Sequence, residues 1–367
     1  MFAKRFLIGA VTCMALLGLG ATIITAQADK KSEKKVQKKE VWTDASDPTL
    51  PADFKFQGEY VNSAGGGYHV IALGNGEFQA VIYHPGLPGK GLVTNARILL
   101  HGKREGDKVI LASIDPKEKR RYLAQSPLEF SATAKFPPEG QVAGYTGVIE
   151  GDTLKVKVDV SSGEGKKLIR KSPTLGAKPP EGAIVLFDGS SKDEWNGGRL
   201  DKKTGFLNTD GGEVTTKRKF SNYTAHVEFM LPFRPDARGQ GRGNSGFYQV
   251  DHYEVQILDS FGLEGMNNEC GGVYSLVKPS VNMCLPPLQW QTYDVEFTNA
   301  VRDDTGKKIK NSRLTVKLNG VVIHNDVELK GVTGGARMEP EGTPGLLRLQ
   351  GHGNPLQFKN IWVVEKK

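Results

Sequence analysis

Thr224-Ala225-His226-Val227-Glu228-Phe229-Met230-Leu231 alternates without a break, with Ala225, Val227, Phe229 and Leu231 on one side and Thr224, His226, Glu228 and Met230 on the other. A period of two marks a β-strand with one face in a core. His226 and Glu228, on the polar side, read as a solvent-facing pair. Residues 291–298 repeat the pattern with Tyr293, Val295 and Phe297, and residues 313–318 with Leu314, Val316 and Leu318. The latter run closes at Asn319-Gly320, a type I′ hairpin pair. Ile184-Val185-Leu186-Phe187 opens the series and residues 357–364 end it. About a dozen such strands, with almost no helical periodicity, predict two packed antiparallel sheets.

The preceding half is also built of short strands. Tyr68-His69-Val70-Ile71-Ala72-Leu73 and Glu77-Phe78-Gln79-Ala80-Val81-Ile82-Tyr83 flank Gly74-Asn75-Gly76, a hairpin turn signal. Further strands are expected at 97–100, 108–112, 145–149 and 153–160, with Glu150-Gly151-Asp152 as a tight turn. Residues 48–164 therefore read as a small antiparallel barrel or sandwich. His69, His84 and His101 are scattered and form no chemical constellation, which suggests an accessory or docking domain. Residues 165–183 (GKKLIRKSPTLGAKPPEGA) have the composition of a linker. The second β unit then runs over 184–367.

The chain has 367 residues, enough for two or three domains at about 100–200 residues each. Its 45 Gly and 19 Pro fit a turn-rich β protein and argue against a helix bundle, a coiled coil or a multi-span membrane protein. Lys4 and Arg5 precede an apolar run, and Ala26-Gln27-Ala28 follows it. That is a secretory signal pattern, with cleavage expected after Ala28 and export to the periplasm or cell envelope. An uncleaved anchor is the alternative. Residues 29–47 begin with DKKSEKKVQKKE, six Lys against three acids, and read as a tether able to contact an anionic envelope surface. Without residues 1–28 the net charge of +8 falls to +6, of which residues 29–40 hold half, and no aromatic-studded basic groove points to nucleic acid. Cys270 and Cys284 could form a disulfide in an exported protein or remain buried thiols. No CxxC or HExxH metal pattern occurs.

A series of landmarks runs through the second half: Leu186-Phe187-Asp188-Gly189, Trp195, Asn244-Ser245-Gly246-Phe247, Glu254-Val255-Gln256-Ile257-Leu258-Asp259, Gly272-Val273-Tyr274, Trp290-Gln291-Thr292-Tyr293, Leu318-Asn319-Gly320, Leu349-Gln350-Gly351-His352-Gly353 and Phe358-Lys359-Asn360-Ile361. In this order they resemble the 3-keto-disaccharide hydrolase family, also described as 3-keto-glucoside 1,2-lyase/3-keto-2-hydroxy-glucal hydratase. The resemblance implies a concanavalin-like jelly-roll sandwich. It also implies an exported enzyme that removes the C2 proton of a 3-keto-glycoside, eliminates at C1 and hydrates the product. The implied partner is a glycoside or oligosaccharide. A non-catalytic glycan-binding module is the competing reading. Gly351 stands where the family commonly has Asp before the histidine, and Lys359 where Arg is frequent.

Such chemistry needs a base with a pKa near the working pH, and a cation, donor or divalent metal beside the enolate oxygen. No cofactor is evident from the sequence; a divalent metal is compatible with the reaction, its ligands unknown. Glu254 is the candidate base, Asp259 its partner and His352 a base or electrophile. A bulge at Ile257-Leu258 would turn Glu254, Gln256 and Asp259 to one face. Arg348 and Gln350 share a strand face and are candidates for binding hydroxyls or the enolate. Asn244 is a candidate hydroxyl ligand, and Tyr274 and Trp290 are candidates to stack on a pyranose ring.

Overall fold

The computed structural model describes residues 41–92, 96–117, 137–210 and 212–366, and all its regular structure is β-strand apart from two short 3-10 turns. Among the described residues no helix is long and apolar enough to cross a membrane. The expected signal sequence and the Lys-rich residues 29–40 lie outside the described residues.

The first unit is a closed barrel of eight antiparallel strands in chain order, from Gly58–Asn62 to Ser161–Leu168, which pair with each other to close it. Lys108–Ser113 shows the pattern that builds it: Val109 and Leu111 are buried and Lys108, Ile110 and Ala112 exposed. Phe56, Tyr60, Val70, Phe78, Ile149 and Leu154 fill the interior. Gly74-Asn75-Gly76 makes the expected hairpin turn, with φ of 85°, 55° and 77°. The final strand runs into residues whose composition suggests a linker. Its sequence, SSGEGKKL, has no apolar alternation to announce it.

The second unit is a sandwich. One sheet has the order Trp195–Asn196, Val214–Thr216, Arg348–Leu349, Asn244–Gln249, Tyr253–Leu258. The facing eight-stranded sheet is centred on Gln357–Glu365, Tyr223–Met230, Trp290–Thr298 and Ser312–Leu318. Val227, Phe229, Phe247, Val255, Ile257, Tyr293, Val316 and Phe358 are fully buried between them. This is the jelly-roll sandwich expected. Asn319 and Gly320 take the positive φ values, 53° and 79°, of a type I′ turn.

The polar side of Tyr223–Met230 is not solvent-facing. His226 and Glu228 are both fully buried, because residues 172–177 lie across them. Ser172 Oγ is 2.6 Å from Thr292 Oγ1, Thr174 Oγ1 donates to Asp294 at 2.7 Å, and the Gly176 amide donates to Glu228 at 2.5 Å. Asn360 Nδ2 donates to the Ala177 carbonyl at 3.0 Å. His226 sits between Asp294 (2.6 Å) and Glu228 (3.3 Å) and stacks on Trp362. The segment between the barrel and the sandwich is thus a strap with a polar seat. Residues at the end of the expected tether are also placed: Trp42 pairs through its backbone with Phe233. Cys270 and Cys284 are buried free thiols.

Candidate active site

The pocket lies on the outer face of the five-stranded sheet. Antiparallel register puts Tyr248 opposite Glu254 and Gly246 opposite Gln256. Side chains two residues apart share a face, so Asn244, Gly246 and Tyr248 line up beside Glu254 and Gln256. Gln350 joins them through its backbone amide, which donates to the Gly246 carbonyl. Asn244, Glu254, Gln256, Tyr274, Gln350 and His352 all line one pocket of about 150 Å³. Gln240, Tyr248, Gly334 and Gly335 complete its wall.

Glu254 is the chemical centre. Its side chain passes over Gly246, where an added Cβ would sit 2.0 Å from its Oε1. Only a glycine leaves that space, which explains the Asn244-Ser245-Gly246 landmark. Glu254 is 3% exposed, and burial pushes its pKa up to about 7 although Tyr248 and Arg348 pull the other way. The Tyr248 hydroxyl lies 2.9 Å from Glu254 Oε2 and 2.7 Å from the Gly334 carbonyl. One phenolic proton cannot serve both acceptors at once. When it goes to Gly334, a protonated Glu254 donates to the phenolic oxygen, so the geometry accommodates the neutral acid.

Asn244 supplies an open acceptor. Its Nδ2 donates to the carbonyl and the Oε1 of Gln240, at 2.9 and 3.0 Å. Its Oδ1 is buried with no hydrogen-bond partner among the described residues. Gln256 is held on both ends of its amide: Nε2 donates to Gln240 Oε1 at 3.0 Å and Oε1 accepts from the Ile257 amide at 3.1 Å. His352 is exposed at the rim.

Three expected residues are elsewhere. The pairing of Asn244–Gln249 with Tyr253–Leu258 runs without a bulge, so Asp259 turns away from the pocket. It is 2% exposed and ion-paired with buried Arg242 at 2.8 Å. Trp290 lies in the other sheet, edge-on to Phe206 and beneath the Lys359 ammonium. Arg348 sits behind the pocket wall. Its guanidinium stacks on the Tyr248 ring at 3.7 Å and is tied to Asp251, Glu213 and the Gly335 carbonyl. It holds Tyr248 instead of meeting the pocket. Gly351 packs against the backbone of Gly212, which a Cβ would strike at 2.3 Å, leaving no room for the acid common at this place in the family.

Tyr248 and Gln240 were not singled out from the sequence. Tyr248 was legible in principle, being four residues from Asn244 on the same strand face. Gln240 lies in a loop without periodicity. Among the described residues no group of three His, Cys, Asp or Glu side chains is gathered to hold a metal.

Residues 182–364 match the family described as 3-keto-alpha-glucoside-1,2-lyase-like domain. The chain belongs to this family. The lyase-like domain coincides with the sandwich and contains the whole pocket, and the family gives it a carbohydrate-active role. Two solved structures from Parabacteroides distasonis ATCC 8503 are similar, each described as a candidate glycosyl hydrolase. One, at 2.13 Å resolution, is 30% identical and covers 51% of this chain and 85% of its own, with a TM-score of 0.47. The other, at 1.70 Å, is 19% identical and covers 51% and 95%, with a TM-score of 0.37. No curated protein matches the chain.

Proposed function

We propose that the pocket cleaves 3-keto-glycosides by elimination and hydration, with net hydrolysis of the glycosidic bond. Glu254 as carboxylate takes the C2 proton, which the C3 ketone acidifies. The electron pair moves onto the ketone oxygen as an enolate and returns to expel the C1 oxygen. The departing oxygen takes a proton from His352 at the rim. Water then adds across the resulting double bond: its oxygen bonds to C1 as its proton goes back to His352, and Glu254 returns its proton to C2. Gln350 and Tyr274 are the donors available to the enolate oxygen, and Asn244 Oδ1 accepts from a sugar hydroxyl.

The observation that carries this reading is one buried carboxyl in the pocket whose pKa burial has raised to about 7. A base poised near neutrality suits proton abstraction from carbon. The pocket does not offer the pair of acids that direct glycoside hydrolysis uses, since Asp259 is turned away from it. The family match over residues 182–364 supports the same class of chemistry.

The test is turnover of α- and β-configured 3-keto-glucosides by the full protein, with and without EDTA. Sugar release by the wild type that collapses in Glu254→Gln supports the reading. Loss of turnover in EDTA would show that the reaction needs a divalent ion. Sugar binding without release would leave a glycan-binding module. The reading also places the protein outside the cytoplasm, on the strength of residues 1–28. An exported product starting at Asp29 would support that, and a chain retaining its leader would contradict cleavage.

A further inference from the structure

We infer that the eight-stranded barrel is a positioning element of the pocket, holding in place the loop that brings Gln240 into it. The inference rests on the sugar-pocket reading only for its consequence in turnover.

Gln240 joins two loops to the pocket. Its Nε2 donates to the Asn268 carbonyl at 2.8 Å. Its Oε1 accepts from both Asn244 and Gln256, and its carbonyl accepts from Asn244 again. Asn244 has a single amide nitrogen, and Gln240 engages it twice. That fixes the Asn244 rotamer and leaves Oδ1 as its open atom. A shift of Gln240 therefore releases the orientation of two pocket amides together.

Both loops that support Gln240 rest on the barrel. On one side, Arg238 donates through Nη2 to the Leu73 carbonyl at 2.8 Å, and through Nη1 to the carbonyls of Pro235 and Ala237 in its own loop. Asn75 Nδ2 donates to Asp236 Oδ1 at 3.1 Å. The approach is close enough that a Cβ on Gly74 would lie 1.9 Å from the Asp236 carboxylate. The Phe233 ring packs on Phe54 at 5.1 Å. On the other side, Phe261 stacks on His69 at 4.5 Å, and Arg97 donates to the Leu263 carbonyl at 3.0 Å. The barrel turn at Gly74-Asn75-Gly76 is thus only two residues of loop away from a side chain in the pocket wall. Arg238 is a positioning residue, acting on the pocket through Gln240.

Hydrogen exchange on the full chain tests this without needing a substrate. Arg238→Ala is expected to speed exchange about tenfold, the size of one lost hydrogen bond, at the amides of residues 240–246 and 256–259. The strands Trp290–Thr298 and Ser312–Leu318 should exchange as in the wild type. Arg238→Lys should recover part of the protection. Asn75→Gly, at a position whose φ of 55° a glycine accepts, removes a contact from the barrel side alone. It should loosen the same residues to a smaller degree. In turnover, Arg238→Ala should raise KM several-fold more than it lowers kcat. Unchanged exchange at 240–246 in both Arg238→Ala and Asn75→Gly would overturn the inference. So would acceleration spread evenly over both sheets. A wild type that releases no sugar would count against the proposed function and leave the exchange result to decide this one.

Discussion

Tyr248 and Glu254 face each other across adjacent antiparallel strands, with the phenolic oxygen 2.9 Å from the carboxyl. Arg348 lies flat on the far side of the same tyrosine ring. A buried acid is therefore held by a neutral donor, with the nearest cation one ring removed. That arrangement keeps the carboxyl pKa high instead of forming an ion pair.

The pH dependence follows with a definite sign. Glu254 acts as carboxylate, so kcat/KM should rise with pH through about 7. Stability should move the other way. Between about 4.5 and 7 the unfolded chain loses the Glu254 proton while the folded chain keeps it. The unfolded state then binds fewer protons, and stability falls as pH rises through that window. The full effect is about 3 kcal/mol from the linkage constant of about 1.4 kcal/mol per pH unit. Buried Glu269, also raised to about 7 by burial, adds a slope of the same sign. The quantity to measure is thus the difference between wild type and Glu254→Gln in urea unfolding from pH 4 to 8. It should grow in favour of the glutamine variant as pH rises. A constant difference would contradict the burial argument.

Gly246→Ala tests the space that Glu254 occupies. The new Cβ would meet Oε1 at 2.0 Å, and the carboxyl must move. Displacement by about 1 Å costs on the order of 100-fold in rate, with about 1–3 kcal/mol of stability lost to overpacking. Turnover measured beside thermal unfolding checks both. An alanine variant as active as the wild type would show that Glu254 has no fixed position to lose.

Asn244→Ala removes the open acceptor and should weaken substrate affinity about tenfold, the range of a single hydrogen bond. Titration with a 3-keto-glucoside reads this directly. Unchanged affinity would remove Asn244 from the binding set.

His226 should matter for stability and not for chemistry. Burial pulls its pKa down, but the hydrogen bonds it donates to Asp294 and Glu228 outweigh it and hold the imidazole above its usual value. A raised histidine contributes stability that is full below pH 6.5 and fades as pH climbs through the folded pKa. His226→Ala leaves two carboxylates facing each other under the strap at 172–177. It should cost about 3 kcal/mol while kcat/KM of the folded protein stays unchanged. A thermal unfolding midpoint equal to wild type would contradict the strap's role.

Much of this architecture was legible in local pattern. Alternation in residues 224–231, 291–298 and 313–318 is the direct imprint of strands against a core. Asn319-Gly320 has few conformations open to it besides a tight turn. What escaped was whatever depends on distant chain. His226 looks solvent-facing because the strap that covers it comes from some 50 residues upstream. Ser161–Leu168 closes the barrel through backbone pairing, with Gly165 its one buried residue. For the site, Asn244, Glu254, Gln256, Tyr274, Gln350 and His352 were named together and lie together. Asp259 went astray because one absent bulge reverses the face of every following side chain. Trp290 went astray because an aromatic in an alternating strand carries no mark of which sheet it joins. Gln240 had no local signature, since a barrel 160 residues earlier helps to place it.

The most direct test of the central claim is single-turnover release of sugar from a 3-keto-glucoside by wild type and by Glu254→Gln, at pH 8. The substitution keeps the size of the side chain and removes the base. Wild-type release that falls by 100-fold or more in the variant, with binding of the substrate retained, is the expected result for a lost general base. Release by Glu254→Gln within a few-fold of wild type would contradict the assignment of Glu254 as the group that takes the proton.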